Sequence, residues 1–296
     1  MKQMMIENDG IWLRGNLHMH TRRSDGAFAY EDALTIYENA GYDFVAVTDH
    51  WVVSEKGITP GGMLLLSGCE YDVGTNVVQG IYHIVGIDME QKPRLIKHGG
   101  AGVQDIIDEV NRCGGLAILA HPAWSLNSVE EVCKLHGIFA TEIYNTTSSH
   151  TCNLHNARPY SGLFVDQMAA RGRMLRCVAA DDAHRYHTDS LKSWIMVHAK
   201  DKTHEAVMEA IRNGDFYATQ GPSVAMKVVG KTVKVKCSPA SYVLFYSNAP
   251  WNRQRVTAGE GITEASCELM PNETFVRVEV IDAEGRIAFT SPVKVI

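Results

Sequence analysis

The sequence of 296 residues predicts an α/β protein with a small all-β module at its C-terminal end. Three observations lead to this fold class. Apolar runs alternate with amphipathic segments over the first two thirds of the chain. Most of the apolar runs end in polar residues. Beyond about residue 216 the pattern changes to apolar and polar residues that alternate with period two.

The first part is predicted to contain about seven strands separated by helices. The strand-like runs are, in order, GNLHMH, YDFVAVTDH, MLLLSGCEYD, IYHIVGID, LAILAHP, FATEIYN and MLRCVAADDAH. Helical periodicity appears in YEDALTIYENAG, GVQDIIDEVNRCGG, SVEEVCKLHG and GLFVDQMAARG, and a further strand and helix follow in SWIMVHA and THEAVMEAIRNG. This alternation predicts a parallel sheet with crossover helices, which can close into a barrel.

The C-terminal part is predicted to be an antiparallel, sandwich-like module. SVAMKVVGKTVKVKCS, YVLFYSN and TFVRVEVIDAEGRIAFTSPVKVI are rich in β-branched residues, and DAEGR is typical of a hairpin turn. We therefore divide the chain into a barrel over residues 1–215 and a β module over residues 216–296, for which a structural or dimerisation role is expected.

Composition limits the possible partners. The formal net charge is -6, which gives no general attraction to nucleic acid or to anionic membranes, so long duplexes and membranes are not expected partners. The seven cysteines form no CxxC pair and are expected to be reduced thiols. The polar N-terminal segment and the lack of a membrane-spanning run predict a cytoplasmic protein.

The polar residues at the strand ends are the types that bind metal ions. Because the carboxyl ends of parallel barrel strands share one face, these residues should converge there. His18 and His20 lie two residues apart on a strand, so both side chains point to the same side. The candidate ligands are His18, His20, Asp25, His50, Glu70, His83, His121, Asp182 and His184.

Nine ligands are too many for one catalytic ion, which takes about three protein ligands. They suit two or three divalent ions of Zn, Mn or Fe, and such a cluster generates a hydroxide suited to phosphate ester hydrolysis. The alternatives without metal binding are ordinary surface histidines at the strand ends and, for His83, a histidine that is hydrogen-bonded within the core. Asp49 and Asp181 are expected to orient ligand histidines. His155 and His187 lie in loops that could reach a substrate, whereas the other histidines, such as His98, have no expected role.

At this point the residues resemble a known family. HMHTRRSDG is similar to the HxHTxxSDG opening of the PHP (polymerase and histidinol phosphatase) superfamily, and VTDH, GCEY, AHP and ADDAH resemble its later motifs in the same order. The motifs cover residues 18 to 184. Onward to AIRNGDFYATQGP, the chain looks like the CehA/McbA-like subgroup of PHP-type phosphoesterases, which carry a small β-rich tail.

The resemblance implies a distorted (β/α)7 barrel, similar to a TIM barrel, with a trinuclear metal site. His18, His20, Glu70 and Asp182 would hold the first ion. Glu70, His83 and His121 would hold the second, and Asp25, His50 and His184 the third. Glu70 would bridge two ions. We predict Glu70, Asp182 and His184 as the catalytic residues.

The expected function is a metal-dependent phosphoesterase in which a metal-bridging hydroxide attacks phosphorus. Its substrates would be small phosphomonoesters, nucleotides or short oligonucleotides, bound by Arg22, Arg158 or Arg185. The alternatives are a metallohydrolase of an amide, carbamate or lactone, and a non-catalytic binding module stabilised by metals. The loop NTTSSHTCNLHNARPYSG matches no known pattern, so the substrate itself is not specified.

Overall fold

The computed structural model describes residues 10–74, 80–94, 100–150 and 156–295, and it shows a mixed α/β fold. His98, Cys152 and His155 lie outside the described residues. The helices are α1 (Tyr30–Asn39), α2 (Val103–Arg112), α3 (Pro122–Ser125), α4 (Val129–Val132), α5 (Gly162–Ala170) and α6 (His204–Asn213). Among the described residues, no helix combines the length and the apolar character needed to cross a membrane.

The strands of the first part are β1 (Ile11–Asn16), β2 (Phe44–Ala46), β3 (Gly57–Ile58), β4 (Leu64–Leu66), β5 (Gly68–Val73), β6 (Tyr82–Ile87), β7 (Leu116–Leu119), β8 (Ile138–Asn145), β9 (Arg176–Ala180), β10 (Trp194–Ala199) and β11 (Phe216–Thr219). The later strands are β12 (Val224–Val229), β13 (Thr232–Tyr246), β14 (Val256–Glu268), β15 (Phe275–Ile281), β16 (Ile287–Phe289) and β17 (Val293–Lys294).

One sheet has the order β5-β6-β7-β8-β9. β7, β8 and β9 are parallel, as predicted, but β6 runs antiparallel to both of its neighbours. The prediction of a parallel sheet with crossover helices is therefore confirmed for β7, β8 and β9 and wrong for β6. The reason is the short connection between β5 and β6, because parallel neighbours need a crossover of about a dozen residues or more.

The larger sheet has the order β12-β13-β15-β16-β11-β10-β1-β2-β4-β3, with β14 beside β13 and β17 beside β15. β1, β2 and β4 are parallel. The described strands from β10 onward pair antiparallel, which agrees with the period-two pattern of the C-terminal sequence. β11 pairs with β10 on one side and with β16 on the other, so hydrogen bonds join the C-terminal strands to the first part of the chain.

Two isolated parallel bridges connect the two sheets. Met19 pairs with Ala183, beyond the ends of β1 and β9, and His50 pairs with Glu70, beyond the end of β2 and within β5. The space between the two sheets is filled by buried apolar side chains from both of them, Phe44 included. The bridges thus gather the ends of β1, β2 and β9 around the middle of β5.

Candidate metal centre

The Met19–Ala183 bridge positions two pairs of candidate ligands. Side chains alternate along an extended segment, so His18 and His20 lie on one side of their segment while Met19 is fully buried on the other. The Asp182 N–H donates to the His18 carbonyl at 2.8 Å and the His20 N–H to the Ala183 carbonyl at 2.9 Å. The two parallel segments therefore present His18 and His20 beside Asp182.

The first group joins His18, His20, Glu70 and Asp182, all of them buried. The Nε2 atoms of His18 and His20 lie 3.2 and 3.1 Å from Glu70 Oε2 and 3.2 and 3.1 Å from Asp182 Oδ1. In a tetrahedral site with bonds of about 2.0 Å, neighbouring ligand atoms are about 3.3 Å apart. The spacing therefore matches that of four atoms around one ion.

Asp182 Oδ1 supports this interpretation. It is buried and makes no hydrogen bond, although two imidazole nitrogens lie close to it. A buried carboxylate oxygen without a partner is costly, because its desolvation is not offset. A cation between these four atoms would remove that cost, so the donor set fits a divalent ion.

The second group joins Glu70, His83 and His121. Glu70 Oε1, the oxygen that faces away from the first group, lies 2.8 Å from His83 Nδ1 and 3.6 Å from His121 Nε2. His83 reaches this end of the sheet because β6 runs in the opposite direction, so that the start of β6 lies beside the end of β7. The two oxygens of one carboxylate thus face two different groups.

The third group joins His20, Asp25, His50 and His184. Asp25 Oδ2 lies 3.3 Å from His184 Nε2 and 3.8 Å from His50 Nε2, and Asp25 Oδ1 lies 3.5 Å from His20 Nδ1. The structure brings His20 into this group, beside the three residues assigned to it from the sequence. The side chain of Asp25 is about half exposed, so this group is the most open to solvent.

Three of the histidines use Nδ1 for a structural contact and direct Nε2 toward the cluster. Nδ1 of His18 lies 2.7 Å from Glu142 Oε1, that of His121 3.1 Å from Ser125 Oγ, and that of His184 2.8 Å from the Asp182 carbonyl. An Nδ1–H donor leaves Nε2 with a free lone pair, which is the form that binds a metal ion.

The carboxylates and imidazoles of the cluster shift each other's pKa. Burial alone would raise the pKa of Glu70, Asp182 and Asp25, but the adjacent histidines lower it below its usual value in each. Burial opposes the charged form of His50, yet the nearby carboxylates, with Asp72 Oδ1 at 3.2 Å and Glu70 Oε2 at 3.4 Å from Nδ1, raise its pKa to about 9. Asp182 and Asp25 likewise raise the pKa of His184 to about 10, against the effect of burial. The cluster thus balances its charges by pairing.

Glu142 is a site residue that the sequence analysis missed. Its Oε2 accepts hydrogen bonds from the His121 N–H at 2.8 Å and from Asn145 Nδ2 at 2.7 Å, while Oε1 contacts His18. It is buried in β8.

Asp49 and Asp181 were expected to orient ligand histidines, but this prediction is wrong, because their hydrogen bonds hold loops.

Those loop contacts are specific. Asp49 accepts from the N–H and the hydroxyl of Thr21 and from the Ser24 hydroxyl. Asp181 accepts from the Tyr37 hydroxyl and from backbone N–H groups of residues 191–193. Both carboxylates therefore stabilise the segments that surround the centre.

A second missed residue is Asp189, which is buried at the edge of the cavity. Its carboxylate accepts hydrogen bonds from the backbone N–H groups of His184, Arg185 and Tyr186, and from the Thr147 hydroxyl at 3.1 Å. Asp189 therefore fixes the loop that carries His184 and ties it to the segment after β8.

Of the nine candidate ligands, all except the buried His18 and His20 line a cavity of 620 Å³, whose other lining residues are Ala27, Trp124, Thr147, Ser148, Arg185 and Asp189. Of the three arginines predicted to bind substrate, Arg185 is the one that lines this cavity. Arg22 donates from Nε to the Ala27 carbonyl, and the N–H of Arg158 donates to the Ser148 carbonyl. His187 packs edge-on against Phe28 instead of lining the cavity.

The backbone is strained at two of the candidate ligands. His121 has a φ of 28° and Asp182 a φ of 55°, which are unusual for residues with a side chain. Such strain persists where the surrounding structure enforces it, and it is concentrated at functional sites.

No protein-family model and no curated protein sequence matches this chain. Among solved structures, the fold is similar to that of a two-domain protein from Bacteroides vulgatus containing a predicted PHP-like metal-dependent phosphoesterase, with a TM-score of 0.50 and 15% identity over 97% of this chain and 96% of that chain. An amidohydrolase from Chromobacterium violaceum matches with a TM-score of 0.43 and 16% identity over 59% of this chain and 89% of that chain. The comparison with the Bacteroides vulgatus protein thus shows a shared fold over nearly the whole chain.

Proposed function

We propose that the chain is a metal-dependent phosphoesterase of the PHP superfamily, within the CehA/McbA-like subgroup. The observation that carries this proposal is the convergence of nine histidines and carboxylates from distant parts of the chain into three groups with metal-ligand spacing. The fold shared with a protein containing a predicted PHP-like phosphoesterase supports it.

The strand arrangement supports a distorted seven-stranded barrel. β1 pairs with β2, the His50–Glu70 bridge leads from β2 to β5, and the five-stranded sheet leads from β5 to β9. The Met19–Ala183 bridge returns from β9 to β1. Such a ring would have the candidate ligands at one mouth, where barrel enzymes have their active sites.

The residues fit two or three divalent ions of Zn, Mn or Fe, held as the three groups indicate. When bound, the ions would supply Lewis acidity and an activated water nucleophile at neutral pH. Glu70 would serve two ions through its two oxygens, and His184 and Asp182 would complete the catalytic set. Glu142 would keep His18 in the tautomer that binds metal.

The cavity suits a small phosphorylated substrate, namely a phosphomonoester, a nucleotide or a short oligonucleotide. Arg185 lies on its wall and would bind the non-reacting charge of the phosphate, since a guanidinium matches phosphate geometry. Ser148 also lines the cavity, and its hydroxyl would donate to a substrate oxygen, whereas the hydroxyl of Thr147 already donates to Asp189.

The test is metal analysis of the purified protein together with a panel of phosphate esters, carboxyl esters, amides and lactones assayed with added Mn²⁺. We expect two or three bound ions per chain and hydrolysis of phosphomonoesters. His18→Ala and Glu70→Ala should bind fewer ions and lose the hydrolysis. Hydrolysis of carboxyl derivatives alone would instead assign the centre to another metallohydrolase class. Full phosphatase activity in both variants would end the metal-catalysis proposal.

A further inference from the structure

Thr147 and Ser148 line the cavity, and backbone hydrogen bonds join the segment that contains them to a second chain segment. The Asn145 N–H donates to the Pro159 carbonyl at 2.9 Å, the Arg158 N–H to the Ser148 carbonyl at 2.8 Å, and the Ser161 N–H to the Ile143 carbonyl at 2.8 Å. We call residues 143–148 and 158–161 the neck. Because these bonds link its two sides, residues 158–161 support Thr147 and Ser148 from one side, while hydrogen bonds from Thr147 to Asp181 and Asp189 hold them from the other.

Tyr160 joins the neck to the C-terminal strands. Its hydroxyl donates to Glu279 Oε1 of β15, and its ring stacks near Phe289 of β16 with the centroids 6.1 Å apart. Burial raises the pKa of the Tyr160 hydroxyl above its usual value, so it remains a proton donor. This side chain is therefore a direct link between the cavity wall and the all-β module.

Arg277 of β15 holds the partner of Tyr160 in place. It is fully buried, donates from Nη1 to Glu279 Oε1, and makes two bonds of 2.6 and 2.8 Å to Asp166 of α5, the helix that follows the neck. Glu279 is also buried. Buried charges persist only when they are paired and hydrogen-bonded, so Arg277 holds the Glu279 carboxylate where the Tyr160 hydroxyl reaches it.

We propose that Tyr160, Glu279 and Arg277 form a positioning array through which the C-terminal β module fixes the neck, and thereby sets how the cavity wall meets the substrate. The module then tunes substrate binding without contributing a ligand to the metal centre. The kinetic part of this inference rests on the proposed phosphoesterase function, whereas the part that concerns the neck does not.

The test compares Tyr160→Phe with Tyr242→Phe, a matched control on the exposed part of β13. Amide hydrogen exchange at Asn145, Arg158 and Ser161 reports on the neck directly. Loss of a hydrogen bond to a charged partner should speed exchange at these amides by about tenfold in Tyr160→Phe. For p-nitrophenyl phosphate we expect a KM raised several-fold, a kcat changed by less than about twofold, and an unchanged metal content. The control should match the wild type in every measurement.

Two further variants separate positioning from simple loss of structure. Glu279→Gln keeps an acceptor for the Tyr160 hydroxyl and should keep most of the exchange protection, whereas Glu279→Ala should lose it. Unchanged exchange in both Tyr160→Phe and Glu279→Ala would overturn the proposal. A wild-type protein that does not hydrolyse phosphate esters would contradict the proposed function and leave the exchange result as the test of the array. If Tyr160→Phe matched the wild type in both amide exchange and KM, the C-terminal module would have no role at the cavity.

Discussion

At the scale of single residues, Glu142 is the carboxylate that orients two of the candidate ligands. Both of its oxygens accept hydrogen bonds, from His18 on one side and from the His121 N–H and Asn145 on the other. In Glu142→Gln an amide NH₂ group replaces one of the two oxygens, and this group cannot accept a hydrogen bond from the donors on its side. We expect the metal affinity to fall about 10- to 100-fold, as is typical when a partner of a ligand histidine is lost.

Titration with Mn²⁺ or Zn²⁺ measures this affinity, and Glu205→Gln, which changes an exposed glutamate of α6, is the control. An affinity in Glu142→Gln equal to that of the control would show that His18 does not depend on this contact.

The charge balance of the cluster predicts a pH dependence of metal binding. Without a metal ion, the pKa values of His50 and His184 are raised to about 9 and about 10, so both side chains are positively charged imidazolium groups at neutral pH. A ligand imidazole must be neutral, so binding has to release these protons. The affinity should therefore rise with pH toward about 10 and fall as the pH is lowered, with protons released on binding. Calorimetry in buffers of different ionisation enthalpy measures this release, and binding without it would contradict the prediction.

The sequence was informative about residues that lie at strand ends and less so about those that support them. Seven of the nine candidate ligands could be selected because His and carboxylate side chains lie at the ends of apolar runs; Asp25 lies in a loop and His83 inside an apolar run. Glu142 has a visible signal, since it is an acid inside the apolar run FATEIYN. Asp189 left no signal, because its role depends on how the loop after β9 turns its N–H groups toward one carboxylate.

At the scale of elements, α6 has both of its ends capped. The Thr203 hydroxyl accepts from the Ala206 N–H at 3.3 Å, and Gly214 ends the helix with a φ of 81°. Thr203→Ala removes the N-terminal cap and should lower the free energy of unfolding by about 1 kcal/mol. Urea denaturation measures this change. Thr203→Ser keeps the hydroxyl and should retain most of the stability, so equal losses in the two variants would contradict a capping role.

The strand directions show what periodicity cannot give. Apolar runs predicted where the strands lie, and helical spacing predicted α1, α2, α5 and α6, but neither pattern contains the direction of a strand within a sheet. The run MLLLSGCEYD forms two strands, β4 and β5, that belong to different sheets. The reversal of β6 also explains how a histidine near the start of a strand, His83, joins residues from strand ends.

At the scale of the whole molecule, the two sheets are joined beside the candidate ligands by single bridges. An ion bound by His18 and Glu70 would cross-link the sheets, so metal should stabilise the folded state. The expected gain is about 2.7 kcal/mol at a free metal concentration of about a hundred times Kd. The Tm should therefore rise with added Mn²⁺ and fall with a chelator. His18→Ala should show a smaller shift, and a Tm insensitive to both additions would argue against a linking ion.

The C-terminal strands illustrate the limit of sequence patterns at this scale. Their alternation predicted an antiparallel all-β segment, which the structure confirms for the described residues. It gave no indication that β11 would continue the sheet from β10 to β16, since edge pairing depends on backbone groups that every sequence has.

The shared carboxylate of Glu70 has a consequence for how the centre fills. One oxygen faces His18 and His20, and the other faces His83 and His121. An ion on the first side would withdraw charge from this carboxylate and immobilise it, so an ion on the second side would meet a weaker but better aligned donor. Occupancy at the two positions would then be thermodynamically linked, and each ion would alter the affinity for the other by the same factor. A binding isotherm with cooperative character, rather than two independent steps, is the signature to seek.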